Sequence, residues 1–584
     1  MKTWQYLLRL ILFRPWVYIG EGALRMLWVF TFLMEGLLIS TFFNSVSSSG
    51  GTGFSVASVV ALFLAVRTVR AALLIGGIII MVLAKYTAGT LLRKNLLQQA
   101  LQEVAGGNAS YSIGELVNCF RDDITGIANF LSNVLWIVVY SLAAVFAITI
   151  MVRINLLMTI IGLLPLIAGG AIVYVARKKV ERYRIASRSA TGQAVGTLGS
   201  MFTIVEAVKV AGAEVQVKKH LQQLNHERGK YTIHEDLLSA ILDAASSNTT
   251  AVGMGCVLLL AAFDMRAGTF TVGDFALFMY YIGWLSDLPN RIGRMIVGYK
   301  RVGVSLAKMA NFLQKGEPAL LVKHGPIYLR GALPPLPGIE KSAADHLTTL
   351  QVTGLTYHYP GTEKGIENVH LCLPRGSFAV ITGRVGAGKT TLIRTLLGLL
   401  PKDAGEIRWN GEVVAETSKV LVPPRCAYVS QVPQLFNATI RENILLGLAK
   451  NQADIDGALS QAVLESDIAN MEAGIDTLIG TRGMKLSGGQ QQRLAAARMF
   501  IREAELLIFD DLSSALDVNT ERIFWERLRE NVMWTCLAVT RSRIALQRAD
   551  WIILMKDGLV HAEGNLHELL EHNQEMRLLW QETQ

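Results

Sequence analysis

Residues 383–390 read Gly383, Arg384, Val385, Gly386, Ala387, Gly388, Lys389, Thr390, and they stand between two apolar runs, 378–382 and 392–400. A strand that turns through glycines into a helix aims backbone N–H groups and a helix N-terminus at an anion. In that setting Lys389 is expected to reach the β- and γ-phosphates of a nucleotide. Thr390, with Thr391 beside it on the first helical turn, is expected at the Mg2+. The bland alternative is an ordinary glycine-rich turn; the complete G-x-x-x-x-G-K-T spacing in strand–loop–helix order argues against it. A further apolar run, 506–509, ends in Asp510 and Asp511. Asp510 is expected to hold Mg2+ and its waters, and Asp511 to lie beside the water that attacks the terminal phosphate. ATP and Mg2+ are the expected cofactors.

The elements that carry these residues divide sharply. The chain has 584 residues, 51% apolar and only 18% charged, with 56 basic and 47 acidic side chains. Residues 1–330 hold 31 basic and 17 acidic residues (+14), and 331–584 hold 25 and 30 (−5), which together give the net +9. A greasy, basic first part suits membrane helices with basic cytoplasmic ends, and the second part suits a soluble domain. The excess charge thus belongs to a membrane, and neither a nucleic-acid partner nor a soluble ATPase is expected. Five scattered cysteines suit neither a disulfide scaffold nor a zinc cluster. Nothing at the N-terminus resembles a cleavable signal.

A spanning helix takes about 20 apolar residues. Six runs qualify: 23–46, 55–84, 127–152, 156–176, 251–263 with its flanks, and 275–297. Short linkers, among them the Ser/Gly-rich 47–54, alternate with long charged ones, 85–126 and 177–250. Lys2, Arg9, Arg14 and Arg25 precede the first span, Arg177, Lys178, Lys179, Arg182 and Arg184 follow the fourth, and Lys300 and Arg301 follow the sixth. That side is therefore cytoplasmic, and the long linkers are expected to be helical hairpins reaching well below the bilayer. Residues 1–20 are expected to form an amphipathic helix in the interface. A Pro-rich linker, 333–338, separates the halves. The expected division is an interfacial elbow helix (1–22), a six-helix transmembrane domain (23–315), a linker (316–347) and a nucleotide-binding domain (348–584). Three charges lie inside apolar runs: Glu35, Arg67 and Arg70. Buried charge in a bilayer is costly and usually faces a cavity or a partner. One reading makes these residues the wall of a substrate cavity, the other a structural ion pair between the first two spans.

From Leu486 the sequence runs Ser487, Gly488, Gly489, Gln490, then Gln491, Gln492, Arg493. This run is similar to the signature loop of the ATP-binding cassette (ABC) transporters. Over essentially its whole length the chain resembles the exporter-type half-transporters of that family. The resemblance implies an α-helical six-span transmembrane domain of the type IV fold fused to an α/β P-loop nucleotide-binding domain. Residue by residue, it assigns Tyr359 to stacking on adenine and Gln431 to the lid that touches Mg2+ and senses the membrane domain. Asp517, in the run Ser513 to Asp517, belongs to the loop that crosses a dimer interface. It also matches 112–116 to the first cytoplasmic hairpin and 270–274 to the opening of span six. The hairpin tips around 114–123 and 201–214 are the implied coupling elements.

Two positions depart from the family's active pattern. Asp511 stands where Glu is usual, one methylene short by about 1.5 Å, and a misplacement of about 1 Å can cost about 100-fold in rate. Arg541 stands where His is usual and can only donate. Thr481 replaces a usual Glu near the coupling contact. In this family each ATP lies between one subunit's phosphate loop and the other's signature loop. The resemblance therefore implies a heterodimer: this chain's own site (Asp511, Arg541, Gln431) is degenerate, and its intact signature loop serves the hydrolytic site of a second half-transporter subunit. The expected function is ATP-driven export of a hydrophobic, amphipathic, lipid or peptide substrate by alternating access, with the chain embedded in membrane lipid of a bacterial inner membrane. A homodimeric exporter, an importer and an ATP-gated regulatory subunit are the alternatives.

Overall fold

Apolar runs of 20 or more residues leave a chain little choice but helix, because only a helix satisfies its own backbone in a bilayer. The computed structural model describes residues 1–47, 56–104, 113–312, 318–331, 334, 341–448, 454–530 and 534–582. Residues 48–54 of the expected linker 47–54, Ser112 of the first hairpin motif, and all of 333–338 except Pro334 lie outside them. The chain forms two compact units, Met1–Gln99 with Tyr111–Gly331, and Ala332–Gln584 with Ala100–Ser110.

The first unit is helical: α1 Thr3–Phe13, α2 Pro15–Ser47, α3 Val56–Val104, α4 Ile113–Asn118, α5 Ile124–Ile154, α6 Leu156–Thr203, α7 Val205–Val210, α8 Glu214–Arg266, α9 Val272–Leu285 and α10 Leu288–Asn311. By length and composition four described segments can cross a membrane, Pro15–Ser47, Val56–Leu101, Gly114–Ile154 and Glu214–Arg266, and a shorter apolar stretch, Leu156–Ile172, opens α6. At 1.5 Å per residue the 48 residues of α6 and 53 of α8 reach about 72 and 80 Å, more than twice the roughly 30 Å hydrocarbon core. The outer turn between α5 and α6 is fixed by Asn155. Its Oδ1 caps α6 by accepting from the Met158 N–H at 3.1 Å, and its Nδ2 donates to Asp264 on α8 at 2.9 Å.

Three expectations need correction. The N-terminal amphipathic helix stops at Phe13, and Pro15 starts the first span's own helix, as proline's missing N–H and fixed φ favour at a helix start. Span six is not one helix. It breaks at Ser286–Asp287 because Pro289 cannot continue the ladder, and the 14 residues of α9 cover only about 21 Å. Arg25, counted among the basic residues that precede the first span, lies within that span's helix instead: it is buried, pairs with buried Glu21 and donates to the Ser132 carbonyl at 3.0 Å. In addition, Pro318–Arg330, within the expected linker, packs on the helices. Leu321 and Val322 are buried, and Asn95 Nδ2 donates to the Leu321 and Lys323 carbonyls at 3.0 and 2.9 Å.

The second unit holds two sheets. Strands are β1 Thr349–His358, β2 Gly365–Pro374, β3 Phe378–Gly383, β4 Ala404–Trp409, β5 Glu412–Val413, β6 Cys426–Val429, β7 Leu506–Asp510, β8 Thr535–Val539, β9 Trp551–Lys556 and β10 Leu559–Gly564. One sheet is antiparallel, in order β2-β1-β4-β5, and the other is β10-β9-β3-β8-β7-β6. In the second sheet β9, β3, β8, β7 and β6 are parallel, so their C-terminal ends meet at one edge. Strands β3, β7 and β8 are buried throughout, as near-continuous apolar strands covered on both faces must be. Phe509, Phe524 and Trp525 fill the layer beneath, and each such side chain stabilises by roughly 1.5–3 kcal/mol. All five cysteines are free thiols.

Candidate functional site

Parallel register decides what meets at the sheet edge. Past β3 comes Gly383–Lys389, past β7 Asp510 and Asp511, past β6 Gln431, and past β8 Arg541. Ligands of open α/β sheets bind at such carboxyl ends. Helix α11, Lys389–Leu396, begins immediately after Gly388, which has φ +94°. That left-handed backbone favours glycine, and an added Cβ there would stand 3.1 Å from the Ile366 side chain. The loop is thus shaped by residues that cannot be larger.

Within it, Lys389 Nζ donates to the Gly383 and Arg384 carbonyls at 2.8 and 2.7 Å, which poises its ammonium over the loop. Burial lowers the Lys389 pKa, and the Arg541 guanidinium lowers it further. Thr390 Oγ1 donates to Asp510 Oδ1 at 3.0 Å. Burial pushes the Tyr428 phenol up to about 12, so it stays protonated and donates to Asp510 Oδ2 at 3.3 Å. Burial also raises the pKa of Asp510 and of Asp511. Gln431 Nε2 donates to Asp511 Oδ2 at 3.3 Å, and the Asp511 backbone is left-handed, φ 53°. Arg541 is exposed. Tyr359 is partly exposed, its hydroxyl 3.2 Å from Thr391 Oγ1 on α11. Val385 is exposed, Gly386 has φ +86°, and Ala387 is buried. The set fits a magnesium nucleotide: a hydroxyl and a buried carboxylate already 3.0 Å apart for Mg2+, and a lysine with glycine-framed N–H groups for phosphate.

Ser487 starts a different element, the helix Gly488–Phe500. Its hydroxyl accepts from the Gln490 N–H at 3.3 Å, while Gln490 Oε1 accepts from the Ser487 N–H at 3.0 Å, a reciprocal cap. Gln490 and Arg493 are both anchored on Asp467, at 2.7 and 2.6 Å. A Cβ on Gly489 would lie 2.8 Å from the Ala515 carbonyl oxygen, so the loop packs closely on 513–517. Ser487 and Gly488 nevertheless face solvent. Asp517 caps the helix Val518–Glu530, accepting from the Thr520 N–H at 3.0 Å.

In the membrane unit the structure brings Glu35, Arg67 and Arg70 together. Arg70 Nη1 lies 2.6 Å from Glu35 Oε2, and Arg67 Nε lies 3.2 Å from Oε1. Several partners were not anticipated from sequence. Tyr280 on α9 donates to Glu35 Oε2 at 2.5 Å; its only sequence signal is a tyrosine pair, Tyr280 and Tyr281, inside an apolar run. Glu575, on the C-terminal helix Gln574–Glu582, lies 2.6 Å from Arg384 of the phosphate loop. No local pattern announces that contact across 191 residues.

Comparison with known proteins agrees with this geometry. The family description "ABC transporter transmembrane region" matches residues 22–287, and "ABC transporter" matches 366–514. A probable multidrug resistance ABC transporter ATP-binding/permease protein of Bacillus subtilis is 27% identical over 383 residues, 63% of this chain and 61% of that protein. An ATP-dependent lipid A-core flippase of Escherichia coli is 33% identical over 238 residues, 40% of each chain. The chain thus spans less than two thirds of either relative. A bacterial Atm1-family ABC exporter with ATP bound superposes with a TM-score of 0.76 at 20% identity, covering 97% of this chain and 98% of that one.

Proposed function

This chain belongs to the ABC transporters, and from that premise we propose that it is one half of an ATP-driven exporter whose own nucleotide site is weak and whose signature loop completes a partner's site. It is a multi-pass inner-membrane protein of the type IV exporter fold, with its α/β nucleotide-binding domain in the cytoplasm. The cargo is a hydrophobic or amphipathic solute, a lipid or a peptide.

The observation that carries this reading is the contrast between two loops. Ser487–Gln490 is a fully capped helix N-terminus turned to solvent, the form needed to meet a phosphate held by another chain. At the phosphate loop, Lys389 holds the β- and γ-phosphates, and Thr390 with Asp510 ligates Mg2+. When bound there, Mg2+ would supply charge neutralisation for the phosphates. Asp511 then has to orient the attacking water with a side chain about 1.5 Å short, and Arg541, a permanent cation, clamps phosphate without accepting a proton. Nucleotide is held here and hydrolysed slowly. The efficient site pairs Ser487–Gln490 of this chain with a partner's phosphate loop. Closure of the two cassettes tilts the packed helices from inward- to outward-facing as rigid bodies.

Separate substitutions test the assignment. In the purified two-subunit assembly, Ser487→Ala is expected to lower ATPase by about 100-fold or more, and Asp511→Ala to change it less than about twofold, on the scale of single electrostatic donors. The reverse ranking overturns it. Native mass spectrometry of the complex from its source identifies the companion; a homodimer hydrolysing briskly at both sites ends the heterodimer reading. ATP-driven uptake of cargo into inverted vesicles establishes export.

A further inference from the structure

Glu35 lies about 12 residues into the first apolar run, roughly 18 Å along its helix, and Arg67 and Arg70 lie about 17 and 21 Å from the start of α3. All three stand near the bilayer's mid-depth. Glu35 is fully buried, and its carboxylate serves two guanidiniums and the Tyr280 hydroxyl at once. The cluster therefore carries one positive charge more than it can neutralise. The Glu21–Arg25 pair one helical stretch below shows what a purely structural device looks like in this fold. There one base meets one acid, both are buried, Ser132 completes the bonding, and the guanidinium rests on Trp136 at 4.7 Å.

The surplus charge is accessible. Arg70 is mostly enclosed, held over Trp28 and Phe32 at 4.7 and 5.4 Å. Arg67 is 49% exposed, touches Glu35 only through Nε, and otherwise lies over the Phe63 ring at 5.2 Å. Among the described residues no second carboxylate pairs with it. Its remaining N–H groups form a planar fork suited to two oxygens of one anion. Beside Arg70, whose guanidinium lies over the buried Phe32, stand the half-buried rings of Tyr280 and Trp284, stacked on Phe32 at 4.6 and 4.7 Å. An unmatched guanidinium at this depth is costly and marks a pathway or binding site.

We propose that Arg67 and Arg70 receive the anionic group (phosphate, sulfonate or carboxylate) of an amphipathic substrate, whose apolar part lies along the half-buried rings of Tyr280 and Trp284. The proposal rests on the export reading and narrows it to one charge class. Glu35 is a positioning residue: it spreads and holds the two arginines while leaving the cluster at +1, so one monoanion brings it to neutrality. A cationic amphiphile of equal length meets repulsion, and a neutral one gains only the aromatic contact.

The assembled full-length transporter in phosphatidylcholine nanodiscs tests this with three probes of one chain length, dodecyl phosphate, dodecyltrimethylammonium and dodecyl maltoside, read by quenching of tryptophan fluorescence. Dodecyl phosphate is expected to bind at least tenfold tighter than the cation. Arg67→Gln is expected to erase most of that margin, and Arg67→Lys to keep part of it. Equal binding of anion and cation by the unsubstituted protein overturns the proposal without any variant, and so does an undiminished anion preference in an assembled Arg67→Gln protein. Phosphatidylglycerol that competes with dodecyl phosphate identifies a lipid headgroup as the source of the anion, and absence of competition identifies a soluble amphiphile; either supports the site. ATP-driven uptake into inverted vesicles separates the two levels. Uptake of the cation and not the anion ends this proposal alone, whereas no ATP-dependent uptake of any probe ends the export reading.

Discussion

Lys389 feels burial, the Arg541 cation and the Asp511 and Asp510 carboxylates together, so the chemistry of this site is set by a few side chains at one sheet edge. Gln431 already reaches Asp511 at 3.3 Å, so the expected lid residue and the acid that the proposed function places beside the attacking water are in contact. If length and proton acceptance are the two deficits, restoring both should restore hydrolysis. Asp511→Glu combined with Arg541→His is expected to raise ATP turnover at this chain's phosphate loop by about tenfold or more, given that a misplacement of about 1 Å costs about 100-fold. The measurement is phosphate release by an assembly in which Ser487→Ala has silenced the other site. Turnover that stays flat with nucleotide bound would place the defect elsewhere in the loop.

At the scale of elements, the C-terminal helix Gln574–Glu582 is tied to the catalytic edge twice. Glu575 pairs with Arg384 at 2.6 Å and stands 3.8 Å from Lys556, and Arg543, just past the Arg541 position, donates to the Trp580 carbonyl at 3.1 Å through Nε. Arg384 is half exposed, so the pair is worth only about 0.2–1 kcal/mol. The carboxylate nonetheless offsets a cation beside the phosphate loop. Glu575→Gln is expected to tighten ATP binding by about 1.5- to 5-fold, the equivalent of that energy, with little change in thermal midpoint; isothermal titration of the full-length assembly reads it, and weaker binding would contradict the electrostatic account. This contact marks the boundary of what the sequence makes legible. Gly383–Thr390 and Leu506–Asp511 are contiguous, so their spacing alone gives strand, loop, helix and acid. Glu575, Tyr280 and Asp467 act across the fold and leave no local periodicity. The break at Ser286–Asp287 follows from Pro289 inside an otherwise apolar run, and Glu21 becomes Arg25's partner only because the helix places the two one turn apart.

At the scale of the whole molecule, the membrane unit's long helices are what could carry closure into the spans. Helices α6 and α8 run about 72 and 80 Å, so their shared tip lies well outside a hydrocarbon core of roughly 30 Å. At that tip the turn around α7 leaves apolar side chains bare: Phe202 is 78% exposed and Val210 is 91% exposed, with Ile204 and Val205 beside them. A soluble surface rarely keeps such a patch without a use, and a long two-helix lever with an apolar end can carry force only if the end is seated against something that moves. The resemblance to ABC exporters makes this tip a coupling element, and α6 and α8 run from it into the fourth and fifth spans. The expected consequence is a split between chemistry and transport. Phe202→Asp with Val210→Asp should leave nucleotide binding unchanged to within about twofold, because neither residue belongs to the nucleotide-binding unit, while ATP-driven uptake into inverted vesicles falls by about tenfold or more, as expected when a packed apolar contact worth about 1.4 kcal/mol or more is lost. Native mass spectrometry keeps the reading clean by showing that the two subunits still assemble. Uptake that survives in an intact assembly would move the coupling contact to the other cytoplasmic hairpin, at α4 and the start of α5.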